Sequence, residues 1–327
     1  MDLQDMNKSC TIADRLMSRP MKKYSVKQLQ ADFPNDKTCL DWLISYHHPK
    51  GIVCRTCEKV TRHYKVSNRR SYCCSQCGHH FYPTAGTIFH KSRTPLTDWF
   101  HAIYIMSSNK ADTSARQIQR EIGVTYKTAW RMMHQIRSIM NAPDEQLDGD
   151  VEVDETFVHP NTFKRSSARR RYGRDARRTG EVIFGAVQRG RSVKVRHVPT
   201  AGVRILRPLI QNNVRVGSTV HSDSYGAYRT LSYHGYDHRT TNHSAGEYYT
   251  PSSYTQNIEN VRSHLKRGIK GVYRHVSPAY LQFYANEFAW RYNHRNNDVL
   301  FWCLLTDVTL LPMSSSVQRL AFSEQPF

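Results

Sequence analysis

The hydrophobic pattern in the second half of the chain predicts short strands interrupted by one helix. Valine and phenylalanine, which favour strands, surround the acidic centre of Val151–Val158. Two further apolar runs suit a second and a third strand, and a helix and a fourth strand follow. These four segments are Val182–Gln188, Ser192–Val198, Val203–Asn212 and Val216–His221. We therefore expect a domain of mixed strand and helix that begins near Val151.

Apolar residues at three- and four-residue spacing predict helices in other parts of the chain. Ser25–His47 suits two helices separated at Pro34, because proline breaks a helix. Regular apolar stripes also run through Tyr254–Tyr273 and Ser277–Tyr292. In the last segment we expect the first serine to cap the helix and Pro278 to occupy its first turn.

The segment Pro95–Met140 predicts three helices, of which the last two are joined by a glycine turn at Gly123. A short helix, a glycine turn and a longer helix are typical of a helix-turn-helix, and an ordinary helical hairpin is the alternative. In a helix-turn-helix, the exposed positions at the start of the last helix would face DNA. These candidate DNA-binding residues are Thr125, Tyr126, Lys127 and Arg131.

Four of the eight cysteines form two Cys-x-x-Cys pairs. Cys54 and Cys57 form the first pair, Cys74 and Cys77 form the second, and sixteen residues that suit a β-hairpin separate them. Two such pairs across a hairpin are typical of a zinc ribbon, in which four thiolates hold one structural Zn²⁺. Cys73 could replace Cys74, although only Cys74 completes the two-residue spacer. Four reduced thiols without a metal are the alternative.

The chain is strongly basic, with a formal charge of +20 from 47 Lys and Arg against 27 Asp and Glu. Such an excess favours a polyanion, most often nucleic acid, as the partner. A basic protein of the membrane surface is the competing class. We find no signal peptide and no apolar run near the roughly 20 residues that a membrane span needs.

One basic segment stands out in the second half of the chain. Lys164–Arg178 carries eight Lys or Arg residues and almost no apolar ones. We expect a flexible hairpin tip that contacts DNA phosphates through Arg169, Arg170 and Arg171, and a merely solubilising loop is the alternative.

Three acidic residues come from separate predicted elements. Asp154 lies in a strand, Asp223 follows the end of another strand, and Glu259 lies in a helix. Singly, each suits a solvated face or a turn. Together they would repel one another at one edge of a sheet unless cations neutralise them. Oxygen ligands suit Mg²⁺ or Mn²⁺, and two such ions about 4 Å apart promote phosphoryl transfer.

Seven stretches of the chain resemble, in order, those of one protein family. They are Gly86–Lys91, Pro95–Tyr104, Thr128–Arg137, Val153–Val158, Val220–Tyr228, Asn257–Gly271 and Glu287–Arg295. The chain resembles DDE-type insertion-sequence transposases with an N-terminal zinc ribbon, which are relatives of the eukaryotic Merlin elements. The ordered set is specific and extends from about Phe33 to Arg295.

The resemblance implies an RNase H-like catalytic domain with an acidic triad that holds catalytic Mg²⁺ or Mn²⁺. The implied triad is Asp154, Asp223 and Glu259. Lys266 matches the basic position that accompanies the third acid in many such enzymes. Some relatives carry Asn or His in place of that acid, so Asn257 and Asn260 are alternatives to Glu259. The resemblance also implies a homo-oligomer that binds double-stranded DNA at the terminal inverted repeats of its element and at the target.

We therefore predict a multidomain α+β protein with an N-terminal zinc ribbon, a helix-turn-helix and an RNase H-like α/β catalytic domain. The predicted parts are a leader at 1–24, a helix and zinc ribbon at 25–92, a helix-turn-helix at 93–141, a linker at 142–150, the catalytic domain at 151–296 and a tail at 297–327. The predicted activity is DNA cleavage and strand transfer. A catalytically inactive DNA-binding regulator and a nuclease without strand transfer are the alternatives. The expected location is the cytoplasm, at the nucleoid, in a bacterium or the nucleus in a eukaryote.

Overall fold

The computed structural model describes residues 24–109, 112–140, 145–158, 180–223, 225–241, 249–250 and 253–310. The chain divides into two units, Met1–Ile139 with Asn297–Phe327, and Met140–Asn296. Most of the predicted leader, the basic segment Lys164–Arg178 and the residues after 310 lie outside the described residues.

Helices and strands occur in consecutive groups along the described chain. The helices are α1 Val26–Asp32, α2 Asp36–His47, α3 Leu96–Ser108, α4 Ala115–Ile122, α5 Tyr126–Arg137, α6 Val203–Asn213, α7 Gln256–Gly268, α8 Leu281–Asn293 and α9 Leu300–Leu310. The strands are β1 His63–Lys65, β2 Tyr72–Cys74, β3 His80–Phe81, β4 Asp150–Val158, β5 Glu181–Gln188, β6 Val193–Val198, β7 Thr219–Asp223, β8 Asp237–Thr241, β9 Tyr249–Thr250 and β10 Ser253–Tyr254. Among these described helices, none has the length and apolar character to cross a membrane.

The first unit combines a three-stranded sheet with α1–α5 and α9. The sheet has the order β1-β2-β3 and is antiparallel. Asp36 links it to the helices, because one carboxylate oxygen accepts from Arg70 Nη2 at 2.6 Å while the other accepts from the backbone N–H of Leu96 at 2.7 Å. An aromatic cluster fills the helical core, with the ring of Phe33 4.8 Å from that of Phe100 and the ring of Tyr24 4.9 Å from that of Phe301.

The second unit contains a five-stranded sheet with the order β6-β5-β4-β7-β8. Strands β4, β5 and β6 are antiparallel neighbours, whereas β4, β7 and β8 run parallel. In β5, Val182, Phe184 and Ala186 face a core that includes Leu206 of α6. The alternate residues face α7 and α8, as the period-two geometry of a strand requires. Both faces of β5 are therefore buried, and its sequence is a continuous apolar run.

Side-chain amides from α8 cover the outer edge of β6. Asn293 Oδ1 accepts from the backbone N–H of Val193 at 2.7 Å, and Asn293 Nδ2 donates to the Val193 carbonyl at 3.1 Å. Gln282 Oε1 likewise accepts a hydrogen bond from the backbone N–H of His197 at 2.7 Å. These contacts satisfy backbone groups that an exposed edge strand would leave open to pairing with another chain.

The start of α8 differs from the sequence prediction. Ser277 makes no side-chain capping hydrogen bond, and a 3₁₀ turn at Pro278–Tyr280 precedes the α-helix, which begins only at Leu281. Apolar spacing of three residues suits both kinds of helix, so the pattern could not separate them.

Candidate functional site

Two aspartates meet at one end of the parallel strand pair in the second unit. The register pairs Val151 of β4 with Val220 of β7. Asp154 and Asp223 lie three residues further along the same two strands. Carboxylate oxygens of Asp154, Asp223 and Glu155 all lie within 4.8 Å of one another. The structure thus brings together two of the three acids named from the sequence and adds a carboxylate that was not assigned to the site.

Glu155 joins this cluster with the help of Tyr228. The Tyr228 hydroxyl donates a hydrogen bond of 2.6 Å to Glu155 Oε2. Tyr228 is buried in the core of the second unit, in the short 3₁₀ turn that follows β7. Successive residues of a regular strand point to opposite faces, so strand alternation does not predict that the Asp154 and Glu155 carboxylates meet. Their adjacency in the sequence is the one signal that could have placed Glu155 at the site.

Burial and mutual repulsion make the cluster unfavourable for negative charge. Burial raises the pKa of Asp154, and the Asp223 carboxylate acts in the same direction while the Arg262 guanidinium opposes both. Burial raises the pKa of Glu155 to about 7, against the effect of the Tyr228 hydrogen bond. Burial and the Glu155 carboxylate raise the pKa of Tyr228 well above its ordinary value. A bound cation would remove this penalty.

Helix α7 presents a charged face to β4. Arg262 Nη1 lies 2.7 Å from Asp154 Oδ2. Glu259, Arg262 and Lys266 follow the spacing i, i+3 and i+7, so they lie on one side of the helix. The Glu259 carboxylate is not among the oxygens that lie within 4.8 Å of one another. The sequence did not point to Arg262, which contacts Asp154 from this face.

The two asparagines beside Glu259 have different environments. Asn257 Nδ2 donates to Glu152 Oε1 at 2.9 Å, so this side chain is engaged by β4. Asn260 is exposed. Nearby, His221 Nε2 lies 2.9 Å from Asp150 Oδ1, which ties β7 to the start of β4.

The four predicted cysteine ligands converge in the first unit. The sulfurs of Cys54, Cys57, Cys74 and Cys77 lie within 4.8 Å of one another. Cys54 Sγ is 3.5 Å from Cys77 Sγ, and Cys57 Sγ is 3.9 Å from Cys74 Sγ. Cys73 points away, with its thiol 3.3 Å from the Gly78 carbonyl. The cluster could therefore bind zinc through the four cysteines of the two Cys-x-x-Cys pairs.

The predicted DNA-binding positions fall into three groups. Tyr126 and Lys127 are exposed at the start of α5, and Thr125 is exposed but uses its hydroxyl to cap α5 by accepting from the Thr128 N–H at 3.2 Å. Arg131 is half-buried. The predicted residues Arg169, Arg170 and Arg171 lie outside the described residues.

The turn between α4 and α5 has the geometry that its glycine predicts. Gly123 has a φ of 83°, in the left-handed region that favours glycine. The Arg116 guanidinium of α4 lies 4.6 Å from the centroid of the Tyr126 ring. Cation and ring thus form one exposed basic and aromatic patch at the start of α5.

Comparisons with known proteins point to mobile genetic elements. Residues 146–293 match the ISXO2-like transposase domain. The chain is 28% identical over 275 residues to an uncharacterized protein in transposable element ISH50 of Halobacterium salinarum, covering 79% of this chain and 91% of that protein. It is 27% identical over 97 residues to an uncharacterized transposase-like protein of Haemophilus influenzae, covering 30% of this chain and 77% of that protein.

A structural comparison finds a chain of the simian T-cell lymphotropic virus intasome, which was solved by cryo-electron microscopy in complex with the PP2A regulatory subunit B56 gamma. The two chains are 13% identical, with a TM-score of 0.27, and the match covers 56% of this chain and 64% of that chain. The match thus spans less than two thirds of the intasome chain. A similarity of this size carries no argument about fold or function.

Proposed function

We propose that the protein is a metal-dependent transposase, because residues 146–293 match the ISXO2-like transposase domain. It would cut DNA at the ends of its element and join the freed 3′-hydroxyl groups to target DNA. The family match and the ISH50 relative confirm the resemblance to DDE-type insertion-sequence transposases. The observation that carries the mechanism is the meeting of Asp154 and Asp223 within the matched residues.

The donor atoms of the acidic cluster fit a hard divalent cation, because they are carboxylate oxygens only. Asp154 and Asp223 would hold Mg²⁺ or Mn²⁺, and Glu259 would complete the triad that the resemblance implies. Glu155 offers a further carboxylate within reach of the same position. When bound, such ions activate the attacking oxygen and stabilise the leaving oxygen in phosphoryl transfer.

The basic residues of α7 would act on the DNA backbone. Arg262 and Lys266 lie on the same side of α7 as Glu259, next to the strand that carries Asp154. A guanidinium and an ammonium at this position would orient a phosphodiester and offset its negative charge. We assign Lys266 this role from the resemblance and Arg262 from its contact with Asp154.

We infer an RNase H-like fold for residues 151–296, supported by three antiparallel strands, a helix and a parallel strand that ends at Asp223. We also infer a helix-turn-helix at 93–141. A glycine turn between α4 and α5 and the exposed N-terminus of α5 support it. The four-cysteine cluster would hold structural Zn²⁺. The net charge of +20 favours DNA as the partner of both parts.

The test is a strand-transfer assay with the full chain loaded with Zn²⁺. Labelled DNA carrying the ends that flank the gene is mixed with a plasmid target, with Mg²⁺ or Mn²⁺ and with chelator. Asp154→Ala and Glu259→Ala are compared with Asp237→Ala, which removes an exposed carboxylate from the same unit. The expected result is metal-dependent joined product that the first two variants lose and the control keeps, with binding of the DNA ends intact in all three.

Each of the other outcomes would indicate a different function for this protein or refute an assigned role. Tight binding of the ends without cutting in either metal would indicate a catalytically inactive DNA-binding regulator. Cutting without joining would indicate a nuclease. Equal loss of cutting and binding in Asp154→Ala would refute the metal-binding role of Asp154.

A further inference from the structure

Glu152 is a fully buried carboxylate on β4, two residues before Asp154. It is surrounded by hydrogen-bond donors. Its Oε2 accepts from the backbone N–H groups of Asn257 at 2.9 Å and Ile258 at 3.1 Å. Its Oε1 accepts from Asn257 Nδ2 at 2.9 Å and from Arg189 Nε at 3.0 Å. A carboxylate is rarely buried without such partners, so this arrangement is a specific one.

The two backbone donors belong to the first turn of α7, which begins at Gln256. The first N–H groups of a helix have no acceptor within the helix, and a residue just before the helix usually supplies one. Here Thr255 makes no side-chain capping hydrogen bond. Glu152 therefore caps α7 from a strand that lies 105 residues earlier in the chain. Its negative charge also meets the positive end of the helix dipole.

A second attachment holds α7 along the same strand. Arg262 contacts Asp154 at 2.7 Å. The two contact points on β4 are separated by two residues, about 6.6 Å of strand, and those on α7 by five residues, about 7.5 Å of helix. These lengths match, so α7 runs beside β4 in register. The cap at Glu152 consequently decides which α7 residues lie opposite Asp154.

We propose that Glu152 is a positioning residue for the acidic site. By capping α7 on β4, it holds Glu259, Arg262 and Lys266 beside Asp154. Neutralising Glu152 leaves the α7 N-terminus without a full acceptor and lets the helix shift on the strand. The catalytic consequence rests on the proposed function.

The test measures Mn²⁺ binding by isothermal titration calorimetry and DNA-end cleavage in the full, Zn²⁺-loaded chain. Glu152→Gln is compared with Glu287→Gln, because both neutralise a fully buried carboxylate of the second unit. Glu287 accepts from Arg291 and from Tyr273, away from the α7 N-terminus. We expect Glu152→Gln to weaken Mn²⁺ binding and cleavage by about 10-fold or more, as residues that orient metal ligands do. Glu287→Gln should leave both essentially unchanged.

A double-variant comparison separates positioning from general loss of stability. If Glu152 acts by positioning Glu259 on α7, removing both carboxylates costs no more than removing Glu259 alone. The double variant Glu152→Gln/Glu259→Gln should then have the same Mn²⁺ affinity as the single variant Glu259→Gln. If the fold-reductions in Mn²⁺ affinity of the two single variants instead multiply in the double variant, the proposal is overturned. Circular dichroism at the assay temperature checks that each variant is folded. Should Glu152→Gln not fold, Glu152→Asp keeps the charge on a shorter side chain, and its expected Mn²⁺ affinity is reduced but measurable.

The outcomes distinguish this inference from the proposed function. Absence of Mn²⁺ binding by the unaltered protein, or unchanged binding by Asp154→Asn, would refute the proposed function and this inference with it. If Asp154→Asn loses Mn²⁺ binding while Glu152→Gln and Glu287→Gln both retain it, only the positioning role of Glu152 is refuted and the proposed function stands.

Discussion

Replacing Gly185 with alanine tests how closely α7 must approach the sheet. Gly185 lies in β5 directly opposite Asp154 in the antiparallel register. A Cβ atom there would lie 2.6 Å from Ile258 Cδ1, well inside van der Waals contact. Ile258 is buried, in a cluster with Val187, so its terminal methyl has little room to move. The added methyl would therefore force the Ile258 side chain into another rotamer within this packed cluster or move α7 beside the acidic site.

The expected loss of stability follows from two opposed effects. Forcing one extra methyl into a packed core costs about 2 kcal/mol. Replacing a strand glycine by alanine returns about 0.75 kcal/mol, because alanine loses less conformational freedom on folding. The net loss for Gly185→Ala is about 1 kcal/mol. Ile258→Val removes Cδ1 and costs about 1 kcal/mol alone, but together with Gly185→Ala it exchanges one methyl for another in the same space.

The double variant should therefore be no less stable than Ile258→Val, about 1 kcal/mol better than additivity predicts. Native-state hydrogen exchange of the peptides that contain β5 and α7 measures the local free energy of opening, which suits a chain with two units. Gly226→Ala is the matched control, since a Cβ at Gly226 meets nothing within 4 Å. Unchanged hydrogen exchange in Gly185→Ala, or additive losses of opening free energy in the double variant, would refute the close packing of α7 on Gly185.

Four further predictions concern other parts of the chain. Cys74→Ser should abolish binding of one equivalent of Zn²⁺ measured by mass spectrometry, whereas Cys73→Ser should not, because the Cys73 thiol points away from the cluster. The pKa of Glu155 is raised to about 7 from an ordinary 4.5, so in chelator its contribution to stability is present below about pH 4.5 and lost as the pH rises through 7. Thermal unfolding of Glu155→Gln should lack this part of the pH dependence, which is on the order of 3 kcal/mol, and an unchanged pH profile would contradict the raised pKa. Asn293→Ala should remove two hydrogen bonds to β6 and speed its hydrogen exchange by an amount equivalent to about 1–3 kcal/mol. Lys127→Ala should weaken binding to all DNA sequences alike and reduce the slope of log affinity against log salt by about 1 in a filter-binding titration.

Local spacing determined much of the fold. The run Val182–Gln188 predicted β5 to within one residue of its observed start, because a strand buried on both faces needs a continuous apolar sequence. Pro34 separates α1 from α2 as expected, and a residue in the left-handed conformation ends α4 at Gly123. Each of these features depends on a few neighbouring residues. The packing of α9 with Tyr24 of the first unit depends on residues far apart in the chain, and apolar spacing alone did not predict it.

By itself, the sequence determined which residue types could form each site: the cysteine pairs through their spacing, and Asp154 and Asp223 through their places on strands. The tertiary structure decided which side chains meet. It brought Glu155 to the two aspartates through Tyr228, placed Arg262 against Asp154, and made Glu152 the cap of α7. The physical reason is that strand and helix periodicity set only the face on which a side chain lies. The register between two strands, and the position of a helix along a strand, are set by packing and hydrogen bonds between residues far apart in the chain, such as Glu152 and Asn257, which are separated by 105 positions.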